Sequence, residues 1–188
     1  KQSYNHDNIE IILVDSSSRD NTKKIMKNFM DSHNDFREIK VLDNPKRVLP
    51  SGWNIALKEA NGDVILRVDA HSSLPDDFIE KNVKYINEGE KIVGGHRISI
   101  IDEDNEWQKV LLTAEKSLFG SGIAAYRRSE SKKYVKTLAH AAYSREVFNA
   151  VGEYDEELYR TEDNEMHYRM KEQGYKFYFN PEIVSYHH

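Results

Sequence analysis

Ile9-Glu10-Ile11-Ile12-Leu13-Val14 is a short β-branched run that stops at Asp15, and its reading decides the fold. A strand with one wet face alternates apolar and polar residues. This run is nearly all apolar, the pattern of a parallel strand covered on both faces. Working outward, Asp20 to Asn34 carries Ile25, Met26, Phe29 and Met30 at helical spacing. The alternation then repeats. Glu38 to Leu42 reads as a strand, Pro50 to Ala60 as a helix with proline in its first turn, and Asn61-Gly62-Asp63 as a turn. Val64 to Val68 reads as a strand ending at Asp69, Asp76 to Glu88 as a helix, and Lys91 to Ile101 as a strand containing Gly94-Gly95. Strands alternating with helices imply βαβ units and right-handed crossovers, hence an α/β fold with a mostly parallel sheet flanked by helices.

The second half is less regular. Trp107 to Leu118 is predicted as a helix, and Phe119 to Tyr134 as a long loop, a length that compact domains reserve for functional loops. Ser144 to Val151 reads as a short helix. Thr161 to Gln173 reads as a longer one, with Thr161 as N-cap and Gly174 past its end. Lys176 to Phe179 and Ile183 to Tyr186 read as short strands. The 188 residues suit one domain. With 27 Lys and Arg against 32 Asp and Glu, the net charge of -5 argues against a nucleic-acid partner. Cysteine is absent, which removes disulfides, thiolate metal sites and cysteine nucleophiles. No apolar run reaches the ~18 residues of a membrane span. Lys1 to Glu10 is too polar for a signal peptide, so a cytoplasmic location is expected.

Four places carry candidate chemistry. Asp15-Ser16-Ser17-Ser18-Arg19-Asp20-Asn21-Thr22 follows the first strand, and ligands of open α/β sheets bind outside the carboxyl ends of strands. Ser18 or Asp20 as a helix N-cap accounts for the same residues by local structure alone. In Arg67-Val68-Asp69-Ala70-His71, Asp69 ends another strand, and residues two apart in an extended segment share a side. A carboxylate with an imidazole suits Mn²⁺, whereas Mg²⁺ prefers oxygen ligands. The competing account is a turn-capping Asp and a surface His. In Tyr159-Arg160-Thr161-Glu162-Asp163-Asn164-Glu165, carboxylates crowd a helix start. They either offset the macrodipole or supply a base for a hydroxyl proton. Asn44-Pro45-Lys46-Arg47 offers cations to a phosphate, or solvated charges. Trp53, Trp107 and most tyrosines are expected in the core.

Together these residues resemble the family 2 glycosyltransferases of the GT-A fold, the inverting, nucleotide-sugar-dependent type. Asp15 to Thr22 is similar to that family's Asp-Asp-Gly-Ser-x-Asp-x-Thr. Gly62-Asp63-Val64-Ile65 followed by Asp69-Ala70-His71 resembles the segment with its Asp-x-Asp metal motif, and Glu162-Asp163 with Arg169 and Gly174 resembles its Glu-Asp helix. Arg67 to His71, Phe119-Gly120-Ser121-Gly122 and Tyr143-Ser144-Arg145-Glu146-Val147-Phe148 resemble the bacterial succinoglycan-biosynthesis subgroup.

The resemblance implies a UDP-sugar donor, a glycan or lipid-linked acceptor and a divalent metal, Mn²⁺ or Mg²⁺. Asp15 would hydrogen-bond the uracil or ribose, Asp69 would bind metal and donor with His71 as second ligand, and Asp163 would deprotonate the acceptor. Glu162 would position a sugar. From the residues themselves, Arg47 is expected to contact phosphate and Arg67 to bind substrate. Residues 1–101 would form the nucleotide-sugar-binding half and residues 102–188 the acceptor-binding half. Asp15, Asp69 and Asp163 are expected to meet at one rim of the sheet.

Some residues depart from the pattern. Ser16 and Ser17 replace Asp and Gly, His71 replaces the second metal-motif Asp, and Lys136 stands where the subgroup tends to have Asp. The family opens with a further strand and helix ahead of Ile9 and continues past His188, so a fragment of a longer protein is expected. Membrane association would come through segments outside these residues, at the inner membrane face. An unpaired sheet edge favours a homo-oligomer. Two other readings use the same acids: a metal-dependent phosphohydrolase or nucleotidyltransferase, and a catalytically silent nucleotide-sugar-binding fragment.

Overall fold

The computed structural model describes residues 1–102, 104–116 and 129–188. Leu118, most of the expected loop and the Phe119-Gly120-Ser121-Gly122 motif lie outside the described residues. The chain divides into two compact units.

One unit comprises Tyr4–Ile65 and Arg145–Gly174. Its strands β1 (Glu10–Asp15) and β2 (Glu38–Asp43) pair in parallel, with Glu10 opposite Glu38 and Asp15 opposite Asp43. Parallel pairing requires a crossover, and α1 (Thr22–Ser32) supplies it. Because the register is even, both strand-end aspartates arrive at the same edge. Helix α2 (Leu49–Glu59) packs on β1. Asn54, 2% exposed, bonds the Tyr154 carbonyl through Nδ2 (2.9 Å) and accepts from the Tyr154 amide (2.8 Å). Helices α5 (Arg145–Val151) and α6 (Glu162–Glu172) pack together. Arg145 donates to the carbonyls of Gly62 (2.7 Å) and Ala60 (2.8 Å), holding the turn foreseen at Asn61-Gly62-Asp63.

The other unit comprises Lys1–Ser3, Leu66–Ser144 and Tyr175–His188. Strand β3 (Val64–Leu66) leads into it. Its centre is β5 (Ile92–Ser99) parallel to β8 (Phe177–His187). Short antiparallel strands complete a mixed sheet: β4 (Ser72–Ser73) and β6 (Lys133–Val135) on β8, and β7 (Ala142–Ser144) on β5. Helix α3 (Phe78–Asn87) covers them, burying Phe78, Asn82 and Tyr85 at one-face helical spacing. Phe78, Tyr85, Val93 and Ile183 form the core, and each such side chain contributes ~1.5–3 kcal/mol on full burial.

Several expectations need correction. Helix α1 is shorter than Asp20 to Asn34 and Ile25 is 64% exposed, so its apolar stripe is only half used. Strand β3 stops at Leu66, because Arg67 turns toward Asp69 and Val68 is left 40% exposed. The two strands read at Lys176 to Phe179 and Ile183 to Tyr186 are one strand, β8, irregular opposite Gly94 to His96. Pro181 lacks an N–H for the ladder, so the chain bulges there. A Cβ on Gly95 would lie 1.9 Å from the Ile183 carbonyl oxygen, so only glycine admits the bulge. Lys133 and Tyr134, assigned to the long loop, belong to β6. Trp107, on α4 (Glu106–Lys116), is 68% exposed rather than core. Among the described residues no helix is long and apolar enough to cross a membrane.

Candidate functional site

The sequence candidates fall into both units. In the unit around β1 and β2, Asp15 ends its strand at 2% exposure. The Ser18 amide lies 3.3 Å from both of its carboxylate oxygens. Ser17 (φ 60°) and Arg47 (φ 61°) have left-handed backbones in the loops that leave the two strands. Asn44, fully buried, ties those loops together. Its backbone amide donates to the Asp15 carbonyl (2.8 Å), and its Nδ2 donates to Ser16 Oγ (3.1 Å) and the Val48 carbonyl (2.9 Å). A hydrogen bond from Lys23 to Asp43, with Asp15 behind it, raises the Lys23 ammonium above its ordinary pKa. Arg47 is exposed, whereas its neighbour Lys46 is committed to Glu156.

Glu162 and Asp163 open α6, with Glu162 8% exposed and Asp163 half-buried. Thr161 stands at the N-cap position, but its backbone is left-handed (φ 67°) and its side chain makes no capping bond, contrary to the cap expected there. The third acid of this turn, Glu165, is taken by Arg169 in a two-pronged pair (2.5 and 2.8 Å). Arg169 also bonds the carbonyls of Val151 (2.7 Å) and Glu153 (2.8 Å), fixing the helix start to the end of α5.

In the other unit the structure brings Arg67 to Asp69, and His71 stands on the same turn. They do not lie on an extended segment as expected. The Ser72 amide bonds the Asp69 carbonyl (3.0 Å), closing a turn. Pairing of β4 with β8 pins that turn, and the His188 amide bonds the His71 carbonyl (2.9 Å). Asp69 Oδ1 faces Arg67 Nε at 3.3 Å, and Oδ2 faces His140 Nε2 at 3.2 Å. The His140 hydrogen bond, aided by Arg67 against the cost of burial, lowers the Asp69 pKa to about 2. The carboxylate therefore stays ionised at neutral pH. His71 is exposed, and its ring meets the His187 ring edge-on at 4.3 Å. Burial, then the charges of Arg97, His71 and His140, hold His187 below the ordinary imidazole value.

Among the described residues no three metal-ligating side chains form a cage. The donors present are one ionised carboxylate, Asp69, and one accessible imidazole, His71. Such a pair fits an ion whose other positions are filled by diphosphate oxygens and water, the usual manner of holding an ion with a nucleotide. His140 and Ser185 were not foreseen, and Asn44 was noted only as the start of the Asn44-Pro45-Lys46-Arg47 stretch, not for tying the two loops. A lone imidazole inside the apolar run Leu138-Ala139-His140-Ala141-Ala142 was the only available signal for the first of them.

The sequence matches the family described as Glycosyl transferase family 2 over residues 1–152. It is 30% identical over 176 residues to the succinoglycan biosynthesis protein ExoA of Rhizobium meliloti (strain 1021), covering 91% of this chain and 51% of that protein. Among solved structures it is similar to the mannosyltransferase PcManGT from Pyrobaculum calidifontis in complex with GDP-Man and Mn²⁺. The TM-score is 0.71 at 21% identity, over 98% of this chain and 49% of that one. It is also similar to S. aureus TarS in complex with UDP, with a TM-score of 0.69 at 16% identity over 98% of this chain and 52% of that one. At these identities the likeness shows the fold, an α/β arrangement shared with GT-A glycosyltransferases. The chain spans about half the length of the curated relatives it matches.

Proposed function

The chain belongs to glycosyl transferase family 2, and on that premise we propose that it moves a sugar from a UDP-sugar to a hydroxyl of a glycan or lipid-linked acceptor, with inversion, in polysaccharide biosynthesis. The acceptor oxygen forms the new bond to the anomeric carbon while the bond from that carbon to the diphosphate breaks. UDP leaves with the bonding electrons, and Asp163 takes the acceptor proton. Asp15 holds the uracil or ribose, Glu162 positions a sugar, and Arg47 and Arg67 offset diphosphate charge. Asp69 and His71 would hold a divalent ion, which when bound neutralises the leaving diphosphate. The anomeric centre gains oxocarbenium character, as in related glycoside chemistry.

The observation that carries this reading is the Asp69 turn: a carboxylate kept ionised, pinned by β4 and β8, with a second donor two residues on. A crystal structure of the full-length protein soaked with UDP and Mn²⁺ tests it. Asp69 on the ion and Asp15 on the nucleoside are expected. An ion ligated by other residues, or a nucleoside away from Asp15, overturns the assignment.

A further inference from the structure

His140 is 7% exposed, and no step above uses it. A buried imidazole is costly unless its nitrogens find partners. Here Nδ1 lies 2.9 Å from Ser185 Oγ, and Ser185 donates its hydroxyl hydrogen to the His96 carbonyl at 3.2 Å. An ionised carboxylate can only accept, so the proton that reaches Asp69 is the one on Nε2, and Nδ1 is left within hydrogen-bond reach of the Ser185 hydroxyl. The ring is thus oriented from behind by β8 and β5. Its front, Nε2, faces Asp69 Oδ2 at 3.2 Å and Ser72 Oγ at 3.1 Å. The backbone of His140 is left-handed (φ 46°), a region that non-glycine residues seldom occupy, and the segment keeps an imidazole there rather than glycine. Strained residues of this kind persist where surrounding structure over-determines them, commonly beside functional groups.

We propose that His140 is the positioning residue of the Asp69 carboxylate: anchored through Ser185, it fixes Oδ2 and thereby sets the affinity of the site for a divalent cation–nucleoside diphosphate complex. This rests on the donor-binding reading above. Asp69 stands on the turn that joins β3 to the two-residue strand β4, whose pairing with β8 holds the backbone but not the rotation of the carboxylate. Arg67, only two residues away, moves with that turn. His140 lies 71 residues away in sequence and is anchored through Ser185 on β8 and His96 on β5, so it supplies a reference point outside the turn itself. Groups that orient a metal-binding side chain typically matter by ~10–100-fold in metal affinity or activity.

Calorimetric titration of Mn²⁺–UDP, and of UDP alone, into the full-length protein decides the matter, with thermal midpoints measured in parallel. His140→Ala is expected to weaken Mn²⁺–UDP binding ~10–100-fold while changing UDP alone much less. His140→Gln, which returns an N–H donor near the Nε2 position, is expected to recover most of the loss. Ser185→Ala, which removes the anchor without touching Asp69, is expected to fall between them. Should His140→Ala fail to fold, the Gln and Ser185 variants carry the test. Variants with lowered midpoints but parental Mn²⁺–UDP affinity show a structural role and overturn the proposal, as does a Gln variant with no recovery. A parent protein that binds no Mn²⁺–UDP overturns the donor-binding reading itself, and this inference with it.

Discussion

The Asp69 turn and the start of α6 each place a carboxylate next to a non-glycine residue in the left-handed region, His140 in one case and Thr161 in the other. They differ in what holds the carboxylate. Asp69 is itself gripped, one oxygen by Arg67 and the other by His140, and its pKa falls to about 2. At α6 the two-pronged grip of Arg169 falls on Glu165, and Asp163 is half-buried in the same turn. On the function proposed above, the difference separates two duties. A carboxylate for a cation is best fixed and always charged. A carboxylate for a proton must be placed by its neighbours and still be open to the hydroxyl it serves.

That contrast can be broken most severely at Asp163. Asp163→Asn is expected to lower the transfer rate by ~10²–10⁴-fold while UDP affinity stays at the parental level. Equal rates in steady-state assays of the two proteins would remove Asp163 from its role. Next comes Arg169→Ala, which strips Glu165 and two carbonyls of their donor. Denaturant melts are expected to show a loss of roughly 1.5–3 kcal/mol, and unchanged stability would mean that the helix start is not held this way.

A smaller effect is expected from acid at the other region. The folded Asp69 carboxyl sits at about 2 against its ordinary 3.8, so its charged form is favoured by folding. Stability from this source is complete above the ordinary value and disappears as pH falls through the folded one. Between about pH 4 and pH 2 the parent should lose about 2 kcal/mol more than Asp69→Asn, and parallel stability curves would contradict the grip. The smallest change is expected at Thr161. Thr161→Gly relieves the left-handed strain and should raise stability by about 1 kcal/mol, less the entropy that glycine adds to the unfolded chain. A lowered melting midpoint would show that the threonine is better placed than its backbone suggests.

The sequence made β1 and β2 legible because an uninterrupted β-branched run has few other destinations, and their crossover helix followed from the spacing. Strands β4 and β7 were not legible. Two or three residues carry no periodicity, and both are strands through their pairing with distant segments, β4 with β8 and β7 with β5. Pro181 announced a break correctly, but not that the ladder resumes beyond it, since that depends on Gly95 letting the bulge approach. Of the candidate residues, Asp15, Asp69, Glu162 and Asp163 were singled out by motif spacing. His140 was not, because its partners Asp69, Ser72 and Ser185 lie 71, 68 and 45 residues away and only the fold assembles them.

The most direct measurement is product analysis of the full-length protein incubated with a UDP-sugar, Mn²⁺ and an acceptor alcohol. The account expects intact UDP, released once per glycosidic bond formed, and an inverted anomeric centre in the product. Release of sugar phosphate with UMP, or a product of retained configuration, would contradict it.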